Sequence, residues 1–191
     1  MPQTAPPVLI PVTGLTAPVG VGGDEKGVVV VIIGTENRPP AAYAAVCQRL
    51  HVAGLRTVVI GFDERLSTKS VVGILDELGV GWAVLMGDRA GADLAWELAA
   101  RELGRFVGLV VVDHGHPRVP NPVGVVRDPD CPPVTIATTV LTGHDSAHAV
   151  ALESQRYVHA DYRVVDFDQA HLAGESVAQL AAEVVLRVNS W

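Results

Sequence analysis

Residues 82–101 read WAVLMGDRAGADLAWELAAR, an apolar run followed by a glycine-flanked turn and then by a helical pattern. The run 82–86 predicts a buried strand, and residues 87–91 predict a tight turn. Leu94 and Leu98 follow at helical spacing among small alanines, so this helix can pack closely on a sheet. The stretch therefore predicts a strand–turn–helix unit, and the rest of the chain extends this unit on both sides.

The composition is typical of one globular domain. At 191 residues, with 49% apolar and 18% charged residues, the chain is long enough to bury a sizeable core. Its many valines and alanines and its few aromatic residues are typical of buried parallel strands covered by closely packed helices. The net charge of −7 and the lack of a basic run indicate that nucleic acid is not a partner.

The sequence predicts no targeting or membrane segment. No apolar run reaches the roughly 18 residues that a membrane span needs. Residues 1–27 lack the basic-then-apolar order of a secretory signal peptide. The two cysteines, Cys47 and Cys131, do not indicate a disulfide framework. We therefore expect a cytoplasmic protein with no membrane partner.

Predicted strands alternate with predicted helices along most of the chain. Residues 1–27 are rich in proline and glycine, which predicts an N-terminal arm or edge strand ahead of a domain over residues 28–191. Residues 28–33 are six consecutive β-branched residues, as expected of a central strand buried on both faces. The predicted strands cover residues 28–33, 57–60, 82–86, 107–112, 134–141 and 162–167. This alternation predicts an α/β fold, with a mostly parallel, doubly wound sheet of about six strands and helices on both faces.

Polar side chains follow the ends of these predicted strands. Ligands of parallel α/β sheets bind beyond the carboxyl ends of the strands, so these side chains are candidate site residues. They form five short groups: Thr35-Glu36-Asn37, Asp88-Arg89, Asp113-His114-His116, His144-Asp145 and Asp168-His171.

Motifs at four of the strand ends occur in a specific order. Gly87 and Gly91 have the spacing of the G-x-S-x-G nucleophile elbow, in which a strained turn presents the residue at its apex. The other three motifs are Gly34-Thr35, Leu141-Thr142-Gly143-His144-Asp145 and Ala170-His171-Leu172. With these motifs in this order, the chain resembles the α/β-hydrolase family over about residues 28–190.

The resemblance implies a role for each motif. The backbone at Gly34-Thr35 would help to form an oxyanion hole, and His171 would be the catalytic histidine. Asp145 or Asp113 would be the acid that orients this histidine. Since segment 117–133 is far shorter than a typical lid, the resemblance implies a small, lidless member of the family.

The apex of the elbow holds Arg89 in place of the serine. Because arginine stays protonated it cannot act as the nucleophile, and we expect negligible serine-type esterase activity. Some enzymes of the family use an elbow aspartate at the apex, but Asp88 lies one position earlier. This position favours a helix cap or a salt-bridge partner. The candidate catalytic residues are therefore His171, Asp145, Asp113 and Asp88.

Arg89 also lies at the start of a predicted helix, where a cation is unfavourable by about 0.3–1 kcal/mol. We expect an anion to compensate. It would be Asp145, Asp113 or Glu36 within the chain, or a carboxylate or phosphate group of a small-molecule ligand. The predicted ligand-binding residues are Arg89, Ala90, Gly34, Thr35, Glu36 and His114. No metal site and no cofactor is predicted.

The leading functional interpretation is a ligand-binding or accessory protein that lacks the nucleophile and accepts an anion at the elbow. One alternative is an active hydrolase or another enzyme of the family, which would use His171 and an aspartate with Asp88 or a bound water. A second alternative is a structural or assembly subunit. Because an open site and a high apolar content favour association, we expect a homo-oligomer.

Overall fold

The computed structural model describes residues 8–12, 14–168 and 175–190, which form one eight-stranded sheet with helices on both faces. The strands are β1 Val8–Val12, β2 Leu15–Gly23, β3 Val29–Ile33, β4 Arg56–Ile60, β5 Ala83–Asp88, β6 Phe106–Val112, β7 Ala137–Thr142 and β8 Tyr162–Asp166. The α-helices are α1 Ala44–Val52, α2 Thr68–Glu77, α3 Ala90–Arg101, α4 Asp145–Ser154 and α5 Glu175–Val188. Short 3-10 helices cover Pro40–Tyr43 and Gln155–Tyr157.

The strand order is β1-β2-β4-β3-β5-β6-β7-β8, and every pair from β4 to β8 is parallel. The predicted mostly parallel, doubly wound sheet is therefore confirmed. The carboxyl ends of β3, β5, β6 and β7 meet at one edge of this sheet. This is the edge at which such folds bind ligands.

The sheet has eight strands instead of about six because residues 8–23 form a hairpin. Strands β1 and β2 pair antiparallel on either side of Gly14, whose φ of +81° suits glycine, and β2 pairs antiparallel with β4. Leu15, Ala17 and Val19 are buried in alternation along β2. Prolines and glycines interrupt this alternation in the sequence, so the two strands are hard to predict.

The core has one apolar layer on each face of the sheet. In β3, Val31 and Ile33 pack on the face covered by α2 and α3, while Val30 and Ile32 pack on the face covered by α1 and α5. Successive strand side chains point to opposite faces, so an unbroken β-branched run supplies both layers. Within the described part of the chain, no helix combines the length and the apolar content needed to span a membrane.

Candidate functional site

The turn between β5 and α3 holds Arg89 at its apex, with a φ of 48° and a ψ of −102°. This left-handed conformation is strained for a residue other than glycine, and close packing of the turn maintains it. A Cβ on Gly91 would overlap the carbonyl oxygens of Ile33 and Gly34. A Cβ on Gly87 would lie 2.5 Å from a Cα atom of α3. The two glycines let α3 approach the sheet closely, and the predicted strand–turn–helix unit is confirmed.

The ion-pair partner of Arg89 is its neighbour Asp88. The Arg89 Nε atom lies 3.3 Å from Oδ1 of Asp88. The expected pairing with Asp145, Asp113 or Glu36 is wrong, because the preceding residue already places a carboxylate beside the guanidinium. The two terminal nitrogens of Arg89 have no hydrogen-bond partner among the described residues, and 34% of this side chain is exposed.

Asp88 is buried beneath the apex and surrounded by donors. Its Oδ2 atom accepts hydrogen bonds from Tyr43 Oη at 2.7 Å and from Arg38 Nη1 at 3.2 Å. Burial, and then the charge of Asp88, raise the pKa of Tyr43, so the phenol remains a donor. Asp88 is therefore a salt-bridge partner, and a carboxylate that already accepts from these groups is a weak nucleophile.

The backbone at Gly34-Thr35 is also engaged in this network. The Thr35 N–H donates to Tyr43 Oη at 3.1 Å, and both residues are buried. Tyr43 thus joins the Thr35 N–H to the Asp88 carboxylate at the place where the resemblance implies an oxyanion hole. An anion would have to displace the tyrosine before it could use this N–H group.

A cleft of about 370 Å³ opens beside Arg89, at the carboxyl ends of β5, β6 and β7. Its charged and titratable lining consists of Arg89, Asp93, Asp113, His114, Arg127 and His144. Its apolar lining includes Val119, Val123 and Val150. Sites for small molecules usually measure about 300–1,000 Å³ and combine apolar walls with a few polar groups. The cleft therefore suits a small ligand.

His114 and Asp93 form a hydrogen-bonded pair in this cleft. The His114 Nδ1 atom lies 2.5 Å from Asp93 Oδ1, and Trp96 Nε1 donates to the His114 carbonyl oxygen at 3.0 Å. Asp93 also contacts the guanidinium of Arg127, whose Nη2 donates to the Gly115 carbonyl oxygen at 2.5 Å. Burial lowers the pKa of His114 and lowers that of Arg127 to about 10. A neutral His114 ring with its proton on Nδ1 keeps Nε2 as the acceptor atom.

Asp113 and His144 face each other across the ends of β6 and β7. Asp113 has a φ of 64°, and its Oδ1 accepts the Gly143 N–H at 2.8 Å. His144 caps α4 through Nδ1, which accepts the Ala147 N–H at 3.2 Å, so the proton of the neutral ring lies on Nε2. This Nε2 atom is 3.8 Å from Asp113 Oδ2. Of the two acids predicted to orient a histidine, Asp113 faces His144, whereas Asp145 is exposed at the start of α4.

The structure gathers some of the predicted site residues and separates others. Arg89, Asp113 and His114 line the cleft. Gly34, Thr35 and Asp88 are buried in the interior, and Ala90 begins α3. Glu36 and Asp145 are exposed on the surface. His171 belongs to the segment 169–174, which lies outside the described residues. Within the described ranges, no three His, Cys, Asp or Glu side chains are grouped to hold a metal ion.

Sequence reasoning missed Asp93 and Arg127 as cleft residues, and it placed His144 at the strand ends without giving it a role. Asp93 lies four positions after Arg89, about one helical turn away, so helical periodicity is a usable signal for it. His144 belongs to the strand-end group His144-Asp145, in which the resemblance assigns a role only to Asp145, as a candidate acid. Arg127 lies in a segment without periodicity, and only tertiary packing brings it to the cleft.

His116 anchors segment 117–133, which contributes a wall of the cleft. The ring is fully buried and stacks on Tyr157 with a centroid distance of 4.8 Å. Its Nε2–H donates to the Pro132 carbonyl oxygen at 2.9 Å, and its Nδ1 accepts the Arg118 N–H at 3.2 Å. The neutral ring uses both nitrogens, and burial lowers the pKa of His116.

We expect acid to weaken the fold through His116. A histidine in the unfolded chain titrates near pH 6.5, above the lowered pKa of the folded state, so the unfolded chain binds the proton first as the pH falls. The stabilisation is complete above about pH 6.5 and is lost progressively down to the folded pKa. Urea unfolding of the wild type and of His116→Gln, from about pH 8 to about pH 5, should give a shallower pH slope for the variant. Equal slopes would contradict this role and point to His51 or His114, whose pKa values burial also lowers.

Comparison with known proteins supports the architecture. No family model matches the sequence, and no curated protein matches it. Est1E from Butyrivibrio proteoclasticus is similar in structure, with a TM-score of 0.73 at 11% identity, over 96% of this chain and 99% of that one. An enol-lactonase from Burkholderia xenovorans has a TM-score of 0.74 at 15% identity, over 95% and 99% of the two chains. An epoxide hydrolase from Vigna radiata has a TM-score of 0.76 at 13% identity, over 97% and 98%.

These proteins resemble this chain in the fold of the backbone. At identities of 11–15% the similarities carry the fold and do not transfer an activity. Each similarity extends over nearly the whole length of both chains. Two features of this chain agree with the similarity in structure: the parallel sheet with helices on both faces, and the glycine-flanked elbow after β5. The protein has the α/β-hydrolase fold.

Proposed function

We propose that this protein binds a small ligand with a carboxylate or phosphate group and does not hydrolyse esters by a serine mechanism. The observation that carries the proposal is Arg89, which occupies the elbow apex, lines the cleft and has two terminal nitrogens without a partner among the described residues. A guanidinium offers paired donors that match carboxylate and phosphate oxygens. Ala90 begins α3 beside it, and the positive end of this helix adds to the attraction.

The neighbouring charges leave Arg89 able to accept an anion. Asp88 contacts only the Nε atom of Arg89 and also accepts from Tyr43 and Arg38, which share its negative charge. The other arginine of the cleft lining, Arg127, is engaged by Asp93 and by a backbone carbonyl. Arg127 Nη1 has no hydrogen-bond partner among the described residues either, but it is buried, whereas 34% of the Arg89 side chain is exposed. Among the described cations of the cleft, Arg89 is therefore the more accessible to an anion.

The same contacts argue against the usual hydrolysis. Serine-type catalysis needs an oxygen nucleophile at the apex and backbone donors for the oxyanion. Arg89 supplies no nucleophile, Asp88 is occupied by donors, and the Thr35 N–H donates to Tyr43. The epoxide hydrolase and the enol-lactonase of similar structure carry activities of their own, which the shared fold does not bring to this chain.

One observation favours a second candidate function, a hydrolase in which His114 activates a water molecule. The Asp93 carboxylate holds the Nδ1 side of His114, and the ring lines the same cleft as Arg89. A histidine oriented by an acid in this way can act as a general base. This enzyme would turn over short esters without covalent labelling by a fluorophosphonate.

The proposal predicts that Arg89→Met weakens anion binding by about tenfold to a hundredfold. Loss of a charge-assisted hydrogen bond costs about 1.5–3 kcal/mol, and methionine preserves most of the side-chain volume. Dissociation constants of acetate and inorganic phosphate from NMR titration of the whole chain measure the effect.

Arg49→Met is the matched control, because Arg49 is exposed on α1 and the substitution changes the net charge equally. It should leave both dissociation constants unchanged. Absence of anion binding to the wild type, or equal losses in the two variants, would refute the proposal. Turnover of short esters that His114→Gln abolishes would replace it with the second candidate, and fluorophosphonate labelling would contradict both.

A further inference from the structure

The cleft beside Arg89 has an apolar wall that continues from its interior to its rim. Val119 and Val123 both line it, and they come from the same segment 117–133. Val119 is 2% exposed, whereas Val123 is 81% exposed. A single exposed valine is common on protein surfaces, but this one continues the wall of a cleft that contains a cation.

The outer part of this wall is held in place by its own hydrogen bonds. Asn121 Oδ1 accepts the N–H groups of Val123 at 3.1 Å and of Val125 at 2.9 Å. Gly124 has a φ of +83°, and its N–H donates to the Asn121 carbonyl oxygen at 2.8 Å. Val123 is thus positioned at the rim before any ligand arrives, which lowers the entropy cost of binding.

The acidic side chains of the cleft favour a ligand with a single negative charge. Asp93 and Asp113 line the cleft together with Arg89. Arg127 and Asp93 offset each other's charge, so Asp113 is the carboxylate that would repel a bound anion, and it would repel a phosphate dianion more strongly than a monoanion. A planar carboxylate needs only the two terminal nitrogens of Arg89, which match its two oxygens.

Building on the proposed function, we infer that the ligand is an amphipathic monocarboxylate. Its carboxylate pairs with Arg89, and its hydrocarbon chain lies along Val119 and Val123 toward the rim of the cleft. The charged group supplies orientation, and the chain supplies affinity by covering apolar surface.

A series of linear carboxylates tests this inference. Dissociation constants of acetate, butanoate, hexanoate and octanoate should fall by about three- to fourfold per added methylene until the chain passes the rim. 1-Octanol, which has the chain without the charge, should bind more weakly than octanoate. NMR titration of the whole chain measures every ligand under the same conditions.

Two neighbouring valines provide matched variants. Val123→Ser should weaken octanoate binding at least fivefold while leaving acetate binding unchanged, since only the longer ligand reaches the rim. Val125→Ser should change neither, because Val125 is 53% exposed and is absent from the cleft lining. Both substitutions are on the surface, so both variants should fold.

The outcomes separate this inference from the function on which it rests. If acetate binds through Arg89 but longer chains bind no more tightly, the inference is overturned and the proposed function stands. If octanol binds as tightly as octanoate, or if Val125→Ser weakens octanoate as much as Val123→Ser does, the inference is overturned as well. If neither phosphate nor any carboxylate of the series binds, the proposed function itself is overturned.

Discussion

Replacing Gly91 by alanine is expected to destabilise the fold by about 4 kcal/mol or more, a size that few single substitutions reach. The added Cβ would overlap the carbonyl oxygens of Ile33 and Gly34 and would lie 2.8 Å from the carbonyl carbon of Ile33. These are backbone atoms at the end of β3, so no side-chain rotation can relieve the overlap. The start of α3 would have to move away from the sheet, and the elbow would open.

Gly81→Ala is the control for this prediction. Gly81 has no heavy atom within 4 Å of an added Cβ and does not have a left-handed backbone. Its replacement should be close to neutral or slightly stabilising. Urea unfolding of both variants compares the free energies of unfolding. If the free energy of unfolding of Gly91→Ala lay within about 1 kcal/mol of the wild-type value, this prediction would be wrong, because α3 could then shift to accommodate the added Cβ at little cost.

Trp96→Ala is expected to cost about 3–5 kcal/mol, as is usual for removing a large aromatic side chain from a core. Trp96 is fully buried on α3, and its ring meets the His116 ring edge-on with a centroid distance of 5.5 Å. Its Nε1 also donates to the His114 carbonyl oxygen. The substitution therefore removes core packing and a support of the cleft in one step.

Trp96→Phe separates these two contributions. Phenylalanine keeps an aromatic ring in the core but lacks the indole donor, so this variant should lose much less stability than Trp96→Ala, about 1 kcal/mol for the hydrogen bond plus a packing loss. Urea unfolding measures the stability, and the NMR signal of the His114 ring should move in both variants. Equal destabilisation by the two substitutions would contradict the importance of packing.

The fold could be predicted from the sequence because its main signals are local. The β-branched run 28–33 favours a strand and the glycines of residues 87–91 favour a tight turn through steric effects between neighbouring residues. Such effects can be recognised directly in the sequence. For residues 1–27 the sequence predicts only an arm or one edge strand, whereas residues 8–23 form two paired strands, because prolines and glycines obscure the local alternation. The strand-end rule also places Asp113 and His114 correctly at the cleft, since it needs only the strand boundaries.

The partners within the site could not be predicted in the same way. Asp88 meets Tyr43 and Arg38, which lie 45 and 50 positions away in the connection between β3 and α1. No periodicity links such distant residues, so the sequence could not show that Arg89 would share the Asp88 carboxylate with them. The role assigned to His171 stays a prediction, because that residue lies outside the described chain.

Arg89 and Asp113 stand at the ends of the neighbouring strands β5 and β6, and both have left-handed backbones. Glycine adopts this conformation freely, whereas other residues are disfavoured there by about 1–2 kcal/mol each. The backbone is therefore strained at two adjacent strand ends, and the two strained residues place a cation and an anion in the lining of the same cleft. A chain with glycine at both positions would have a more relaxed backbone, and its cleft would have lost two of the four charged side chains that line it.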